Sequence, residues 1–289
     1  MTVSASTPET LDEALDALSG EPGALVLAGG TDLLVAVNAG RLRPWAVVDV
    51  SQVRSLRGWS RREGRVILGA GLTYTDMMRP DLAAVLPALA YAARTVGSPQ
   101  IRNAGTLGGN LGTASPAGDA LPVLAALDAE IVLRGPEGER VLTWPEFLTG
   151  PKQSALRPGE LIVAARVAVP RGLQEFCKVG TRNAMVIAVA SVALVVDLDA
   201  RRVRCALGSA GPTPLRAPVA EDFAAAHLDW DVDSGPRAPD PRTYEAFGDL
   251  VGEAARPIDD HRSTADYRRH AVAVCARRAL ARVCGEGTR

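Results

Sequence analysis

The apolar positions change their period several times along the chain, and the changes divide it into elements. Over 7–19 they fall at Leu11, Ala14, Leu15 and Leu18, one helical stripe, with Ser6 or Thr7 available to cap it. The run ALVLA at 24–28 is short and unbroken, as in a strand, and it empties into Gly29-Gly30. A short helix over 31–38 closed by Gly40 and a strand AVVDV at 46–50 complete a β–turn–α–β unit. The unit resembles half of a nucleotide-binding domain but lacks G-x-G-x-x-G, so a Rossmann assignment is not supported. RVILGAG at 65–71 is a second strand ending in glycines, with Tyr74 where a third Rossmann glycine would stand.

The spacing predicts helices over 74–78, 82–95 and 120–127. It predicts strands over 129–133 and 161–169, a hairpin turn at 136–139 and a returning strand from Val141. After Pro170-Arg171-Gly172 the pattern changes to three strand-like runs, at 175–179, 188–197 and 203–209. From Val219 it is helical, including 244–255 and 264–283, apart from a Pro-rich surface loop at 234–242. The fold class expected is α+β. The first unit covers 1–170, with subdomains of about 1–55 and 56–170, and the second covers 171–289.

One stretch fits no period. IRNAGTLGGNLGTASPAGD at 101–119 is dominated by glycine, small hydroxyls and asparagine, and it reads as too poor in apolar side chains for a core element. Backbone N–H groups and hydroxyls in such a segment can approach a flat, oxygen-rich ligand. With AGGTDL at 28–33 it makes two glycine turns, which suggests a ligand with a pyrophosphate and a long body. Plainer readings stand beside this one. Gly29-Gly30 also fits a simple strand-ending turn. Asp119 also fits a cap on the helix after it, Lys178 a solvated strand charge, and Asp259-Asp260 with Arg262 a helix cap with a local ion pair.

Composition narrows the classes. The chain has 289 residues, 47% apolar and 22% charged, with a formal net charge of -1. That describes a globular protein and gives no electrostatic case for nucleic acid. No apolar run approaches a membrane span and the N-terminus is too polar for a secretory signal, so a cytoplasmic location is expected. Cys177, Cys205, Cys275 and Cys284 form no C-x-x-C pair, which argues against a metal or iron–sulfur site and for inert thiols. Lysine occurs only at 152 and 178, against 30 arginines. P-loop, G-x-S-x-G and H-E-x-x-H patterns are absent, so no catalytic residue or metal ligand is assigned. What remains is a binding site for a cofactor that brings its own chemistry.

Six segments in order resemble the FAD-binding medium subunit of molybdenum hydroxylases, the family of xanthine dehydrogenase, aldehyde oxidoreductase and carbon monoxide dehydrogenase. They are LAGGTDLL at 27–34, QIRNAGTLGGNLGTASPAGDALPVLAALDAEIVL at 100–133, GELI from Gly159, F-x-K-x-x-x-R from Phe176 to Arg182, GSAGPTPLRA from Gly208, and DDHRSTADYRR from Asp259. The resemblance implies a two-subdomain FAD-binding domain of the PCMH or vanillyl-alcohol-oxidase-like type. A C-terminal domain of small antiparallel sheet plus helices follows it. It implies non-covalent FAD, with the pyrophosphate wrapped by Ala28, Gly29, Gly30, Thr31 and Asp32 and by Thr106, Leu107, Gly108, Gly109 and Asn110. It places Asp119 toward the ribityl or adenosine part, Ile162 at the isoalloxazine edge and Lys178 on the flavin side. Val96 stands where some relatives have an aromatic residue, and Met185-Val186-Ile187 replaces a more polar, acidic segment.

The same resemblance implies electron relay within a dimer of heterotrimers. A large subunit holds the molybdenum cofactor, and a small subunit holds 2Fe-2S clusters and passes electrons to this FAD. The FAD then reduces NAD+ or another acceptor. The alternatives are a stand-alone flavin oxidoreductase of the same fold and a cofactor-free assembly subunit.

Overall fold

The computed structural model describes residues 3–231, 235–238 and 240–285. It begins with a small parallel unit of β1 (Ser4–Ser6), α1 (Leu11–Gly20), β2 (Leu25–Leu27), α2 (Leu33–Asn38) and β3 (Ala46–Asp49). The strands lie in the order β1-β3-β2, both pairs parallel. The cap of α1 is Thr10, not Ser6 or Thr7. Its hydroxyl accepts from the Glu13 amide at 3.2 Å while the Glu13 carboxylate accepts from the Thr10 amide, a reciprocal capping box. Ala14 and Leu18 from the expected stripe are buried in one cluster with Val48, Val50 and Val53.

An antiparallel unit follows. It runs through β4 (Trp59–Arg62), β5 (Arg65–Gly69) and the helices α3 (Tyr74–Met77), α4 (Pro80–Ala83), α5 (Pro87–Arg94), α6 (Pro99–Ala104), α7 (Leu107–Thr113) and α8 (Ala120–Ala126). It returns through β6 (Glu130–Gly135), β7 (Gly138–Thr143), α9 (Trp144–Phe147), β8 (Leu148–Gly150), β9 (Gln153–Ser154) and β10 (Leu161–Ala168). Its main sheet has the order β4-β5-β10-β6-β7.

Two expectations are corrected here. The single helix over 82–95 is two helices, because Pro87 has no N–H and holds Leu86 at φ -127, ψ 67, outside the helical region. The stretch 101–119 is not an irregular loop outside the core. Ser98 caps α6 and Thr106 caps α7, and Leu107 and Leu111, one turn apart, are both fully buried.

The third unit contains β11 (Gln174–Val179), β12 (Ala190–Asp197), β13 (Arg202–Gly208), β14 (Leu215–Arg216), α10 (Pro218–His227), β15 (Asp229–Asp231), β16 (Gly235–Arg237), α11 (Arg242–Ala254) and α12 (Ala265–Val283). β11 to β14 form one antiparallel sheet in sequence order. The sheet is covered on both faces, which is why β12 reads as a continuous apolar run. Ala193 and Val195 join the core of the antiparallel unit, whereas Val192, Leu194 and Val196 join the core under α11 and α12. α8 fills the first interface, and all seven of its residues are buried. The Pro-rich segment expected at 234–242 contributes β16, and its Ser234 and Pro239 lie outside the described residues.

The segment after α11 is held by Arg268, 4% exposed, whose guanidinium donates to the carbonyls of Val189 and Ser209 and pairs with Asp260 at 2.6 Å. Asp260 also pairs with Arg262 at 3.2 Å, as expected, but the cap of α12 is Thr264. Burial would raise the Asp260 carboxyl. The Arg262 and Ser263 amides and Arg268 outweigh it and hold the carboxyl below the usual aspartate range. The stabilisation is therefore full above the ordinary aspartate pKa and is lost as the pH falls through the depressed one. Asp260→Asn should lower stability at neutral pH and flatten the acid limb of a urea-midpoint-versus-pH curve. An unchanged limb would contradict this.

Candidate cofactor site

A cleft of about 1010 Å³ opens between the parallel and antiparallel units. Its walls are the turn after β2, the turn after β5 at Ala70 and Gly71, the exposed side of α7, and the start of β10 at Leu161 and Ile162. Glycine is required where these walls meet. A Cβ on Gly29 would fall 1.8 Å from the Ala104 carbonyl oxygen, so the two glycine segments are in backbone contact. A Cβ on Gly108 would fall 2.8 Å from that of Ala70. Gly30 adopts φ +69, a conformation that side chains disfavour.

The two glycine segments offer different groups to the cleft. Among the described residues, no hydrogen bond is made by the amides of Gly29, Gly30, Thr31 and Asp32, which leaves four donors at this wall. The amides of α7 are already committed. Leu107 donates to Leu72 O at 2.9 Å, Gly108 to Ala70 O at 2.7 Å, and Asn110 to Thr106 O at 3.0 Å. Gly109 donates to Thr106 Oγ1 at 3.0 Å. Of the amides at 106–110 that of Thr106 alone makes no hydrogen bond among the described residues, so this segment offers the Thr106 amide and hydroxyl proton, the Asn110 side chain and a bare glycine surface. Asp32, at the start of α2, accepts from Thr113 Oγ1 at 3.4 Å and ties this wall to α7.

Of the residues expected in the site, Ala28, Gly29, Gly30, Thr31, Asp32, Thr106, Gly108, Gly109, Asn110 and Ile162 line the cleft. Ile162 sits at a register shift between β10 and β6. Leu107 is turned into the core. Val96 packs against that core and its carbonyl accepts from Arg102 at 2.9 Å. Asp119 and Lys178 lie behind the wall as an ion pair at 2.5 Å, both side chains 6% exposed.

That pair overturns the plainer readings of both residues. Asp119 makes no capping bond to α8, and Lys178 is not solvated. Lys178 also donates to Thr95 O at 3.1 Å. Burial pushes the Asp119 carboxyl up, opposed by Lys178 and Thr95. Its Oδ1 and the Asn110 Oδ1 are buried acceptors with no partner among the described residues. Tyr74 connects the pair to the cleft, which it lines. Burial and then the charges of Asp119 and Asp32 push its phenol up, so it stays a hydrogen-bond donor.

Sequence reasoning missed Tyr74 and three cations that line the cleft, Arg41, Arg57 and Lys152. The cations come from three unrelated loops. The one available signal was that Lys152 is one of only two lysines. The donor set fits FAD. Free amides and cations suit the phosphates of such a ligand, the orphan acceptor of Asn110 suits its hydroxyl or ring N–H donors, and the glycine surface admits flat groups.

Fold and cleft together define a chain built to hold an extended phosphate-bearing cofactor between two α/β units, with a sheet-and-helix unit behind it. Residues 1–172 match the FAD binding domain in molybdopterin dehydrogenase, and residues 175–283 the CO dehydrogenase flavoprotein C-terminal domain. The chain belongs to the family of FAD-binding subunits of molybdenum hydroxylases. It is 31% identical to the glyceraldehyde dehydrogenase medium chain of Sulfolobus acidocaldarius, over 95% of this chain and 96% of that one. It is 30% identical to the carbon monoxide dehydrogenase medium chain of Hydrogenophaga pseudoflava, over 94% of each. A crystal structure of Cu,Mo-CO dehydrogenase, cyanide-inactivated, superposes with a TM-score of 0.88 at 27% identity, over 99% of this chain and 98% of that one. Among the described residues no helix is long and apolar enough to cross a membrane.

Proposed function

We propose that this chain is the electron-transfer subunit of a cytoplasmic molybdenum-containing hydroxylase, with FAD held non-covalently in the cleft. In this reading 2Fe-2S clusters lie on a small partner subunit and the molybdenum cofactor on a large one, in a dimer of heterotrimers, and the final acceptor is NAD+ or another oxidant. The observation that carries it is one cleft joining four unbonded amides at 29–32 to Arg41, Arg57 and Lys152. FAD supplies the exchange of one or two electrons that such a relay needs.

In this reading the amides at 29–32 and the three cations bind the pyrophosphate. Thr106 donates its hydroxyl proton, and Gly108 and Gly109 give close backbone approach. Asn110 Oδ1 and Asp119 Oδ1 accept from ribityl hydroxyls or ring N–H groups, and Ile162 borders the isoalloxazine. Lys178 fixes Asp119, while Leu107 and Val96 act through packing. The chain divides near 170, with the FAD-binding part further divided near 55.

The test is the visible spectrum of the purified chain, followed by heat release and identification of the flavin. Bands near one FAD per chain, freed by denaturation, are expected, and anaerobic bleaching by NADH would identify NAD+ as the acceptor. A chain that stays colourless with added FAD, both alone and in its co-expressed complex, would overturn the cofactor reading. Full substrate turnover by an isolated monomer would overturn the partner assignment.

A further inference from the structure

All four cysteines lie in the C-terminal unit, and Cys177 is the only one of them that is not buried. It sits on the face of β11 turned toward α12, in contact with the core that contains Cys275. Cys275 is the thiol that acts most directly on Cys177. Arg282, two turns along α12 from Cys275, places Nη2 2.6 Å from Cys177 Sγ and Nε 3.2 Å from Glu175. The ionisable groups around the pair are Arg278 and Arg282 from α12, Glu175 from β11 and Cys205 from β13. Their arrangement separates the two thiols. The neighbouring Cys275 thiol and the Arg282 guanidinium hold Cys177 below the usual thiol range, against burial. The neighbouring Cys177, with burial, pushes Cys275 up.

We propose that Cys177 and Cys275 form a peroxide-reactive thiol pair, in which Cys177 attacks hydrogen peroxide and Cys275 closes a disulfide between β11 and α12. In the first step the Cys177 sulfur bonds to one peroxide oxygen and the O–O bond breaks. The departing hydroxide takes a proton and leaves as water, so Cys177 becomes a sulfenic acid while the peroxide is reduced. In the second step the Cys275 sulfur attacks that of Cys177 and the S–O bond breaks. Hydroxide leaves with the Cys275 proton as a second water. Two thiols and one peroxide thus give one disulfide and two waters. A small oxidant suits the geometry, because Cys177 is only partly exposed between a strand and a helix. Arg282 stabilises the attacking thiolate. Lys178 projects from the opposite face of β11, so the disulfide forms on the strand that also fixes Asp119.

The test needs no bound cofactor and is independent of the function proposed above. The reduced full chain is titrated with hydrogen peroxide and its thiols are counted after denaturation. Two of the four should disappear, with a linked peptide pair containing Cys177 and Cys275 that dithiothreitol separates. Cys275→Ser should stop at a Cys177 sulfenic acid that dimedone traps. Arg282→Gln should slow iodoacetamide alkylation of Cys177 at neutral pH about tenfold and move its rate–pH midpoint upward. Arg282→Lys, which keeps the cation, should move the midpoint less. Four retained thiols, a link through Cys205 or Cys284, or loss of two thiols in Cys275→Ser would each overturn the proposal.

Discussion

Replacing Lys178 by methionine is expected to cost the folded chain about 3–5 kcal/mol, the usual consequence of removing one partner from a buried ion pair. The side chains of both Lys178 and Asp119 are 6% exposed, so water cannot take over the role of the lost ammonium. The Asp119 carboxyl, already pushed up by burial, rises further without its cation. An aspartate raised in the folded state contributes stability that is full below its unfolded pKa and is lost as the pH rises through the folded value. The defect in Lys178→Met should therefore be mild in acid and largest above neutrality. Urea unfolding at about pH 5 and about pH 8 reads this directly. A defect independent of pH would mean that the loss comes from packing alone.

The double variant Lys178→Met with Asp119→Leu separates structure from ligand binding. Replacing both charges by apolar groups should recover most of the stability, because the two desolvation costs vanish together. Flavin content should not recover, because Asp119 Oδ1, an acceptor with no partner among the described residues, is gone with the pair. Recovery of both properties would make the pair purely structural and remove Asp119 from the cofactor site.

This pair also shows what the sequence could and could not reveal. Lys178 alternates with Phe176 and Cys177 on a strand, and alternation alone says only that Lys178 and Phe176 share a face. That this face is covered by α5 and α8 follows from a packing between distant segments, which no local pattern encodes. β12 was legible as a strand because its apolar run is continuous, and α12 because Thr264 and a long helical stretch mark it. β1 was not legible. Its Ser-Ala-Ser sequence has no strand signal, and it exists through parallel pairing with β3.

The glycine stretch was legible as unusual but was misread in kind. Its glycines allow two helices to pack against Tyr74, Ala70 and the cleft, while the run of free amides sits in the other segment, at 29–32. The residues of the glycine segments carried a recognisable resemblance. The cations did not, since Arg41, Arg57 and Lys152 belong to loops whose convergence is a property of the tertiary fold.

Gly112→Leu should abolish flavin retention while leaving the apo chain as stable as the parent or more so. Gly112 lies inside α7 and lines the cleft. A Cβ there would meet only Ile162 Cδ1 at 3.8 Å, an ordinary contact, and the backbone needs no left-handed conformation. The substitution therefore removes a helix-interior glycine, worth about 1 kcal/mol of stability, without a clash in the protein. The new side chain projects beside Ile162, where the proposed isoalloxazine edge would lie, and FAD affinity should fall at least about a hundredfold, about 2.7 kcal/mol. Gly20→Leu is the control. A Cβ at Gly20, the last residue of α1, meets nothing within 4 Å, and the position is absent from the cleft lining. A calorimetric melting temperature with a flavin-to-protein absorbance ratio for each variant decides the matter. Stability and flavin content should move in opposite directions for Gly112 and be uncoupled for Gly20. If Gly112→Leu kept its FAD, the ligand would have to lie away from the α7–β10 wall, and the placement of Ile162 at the ring would fail with it.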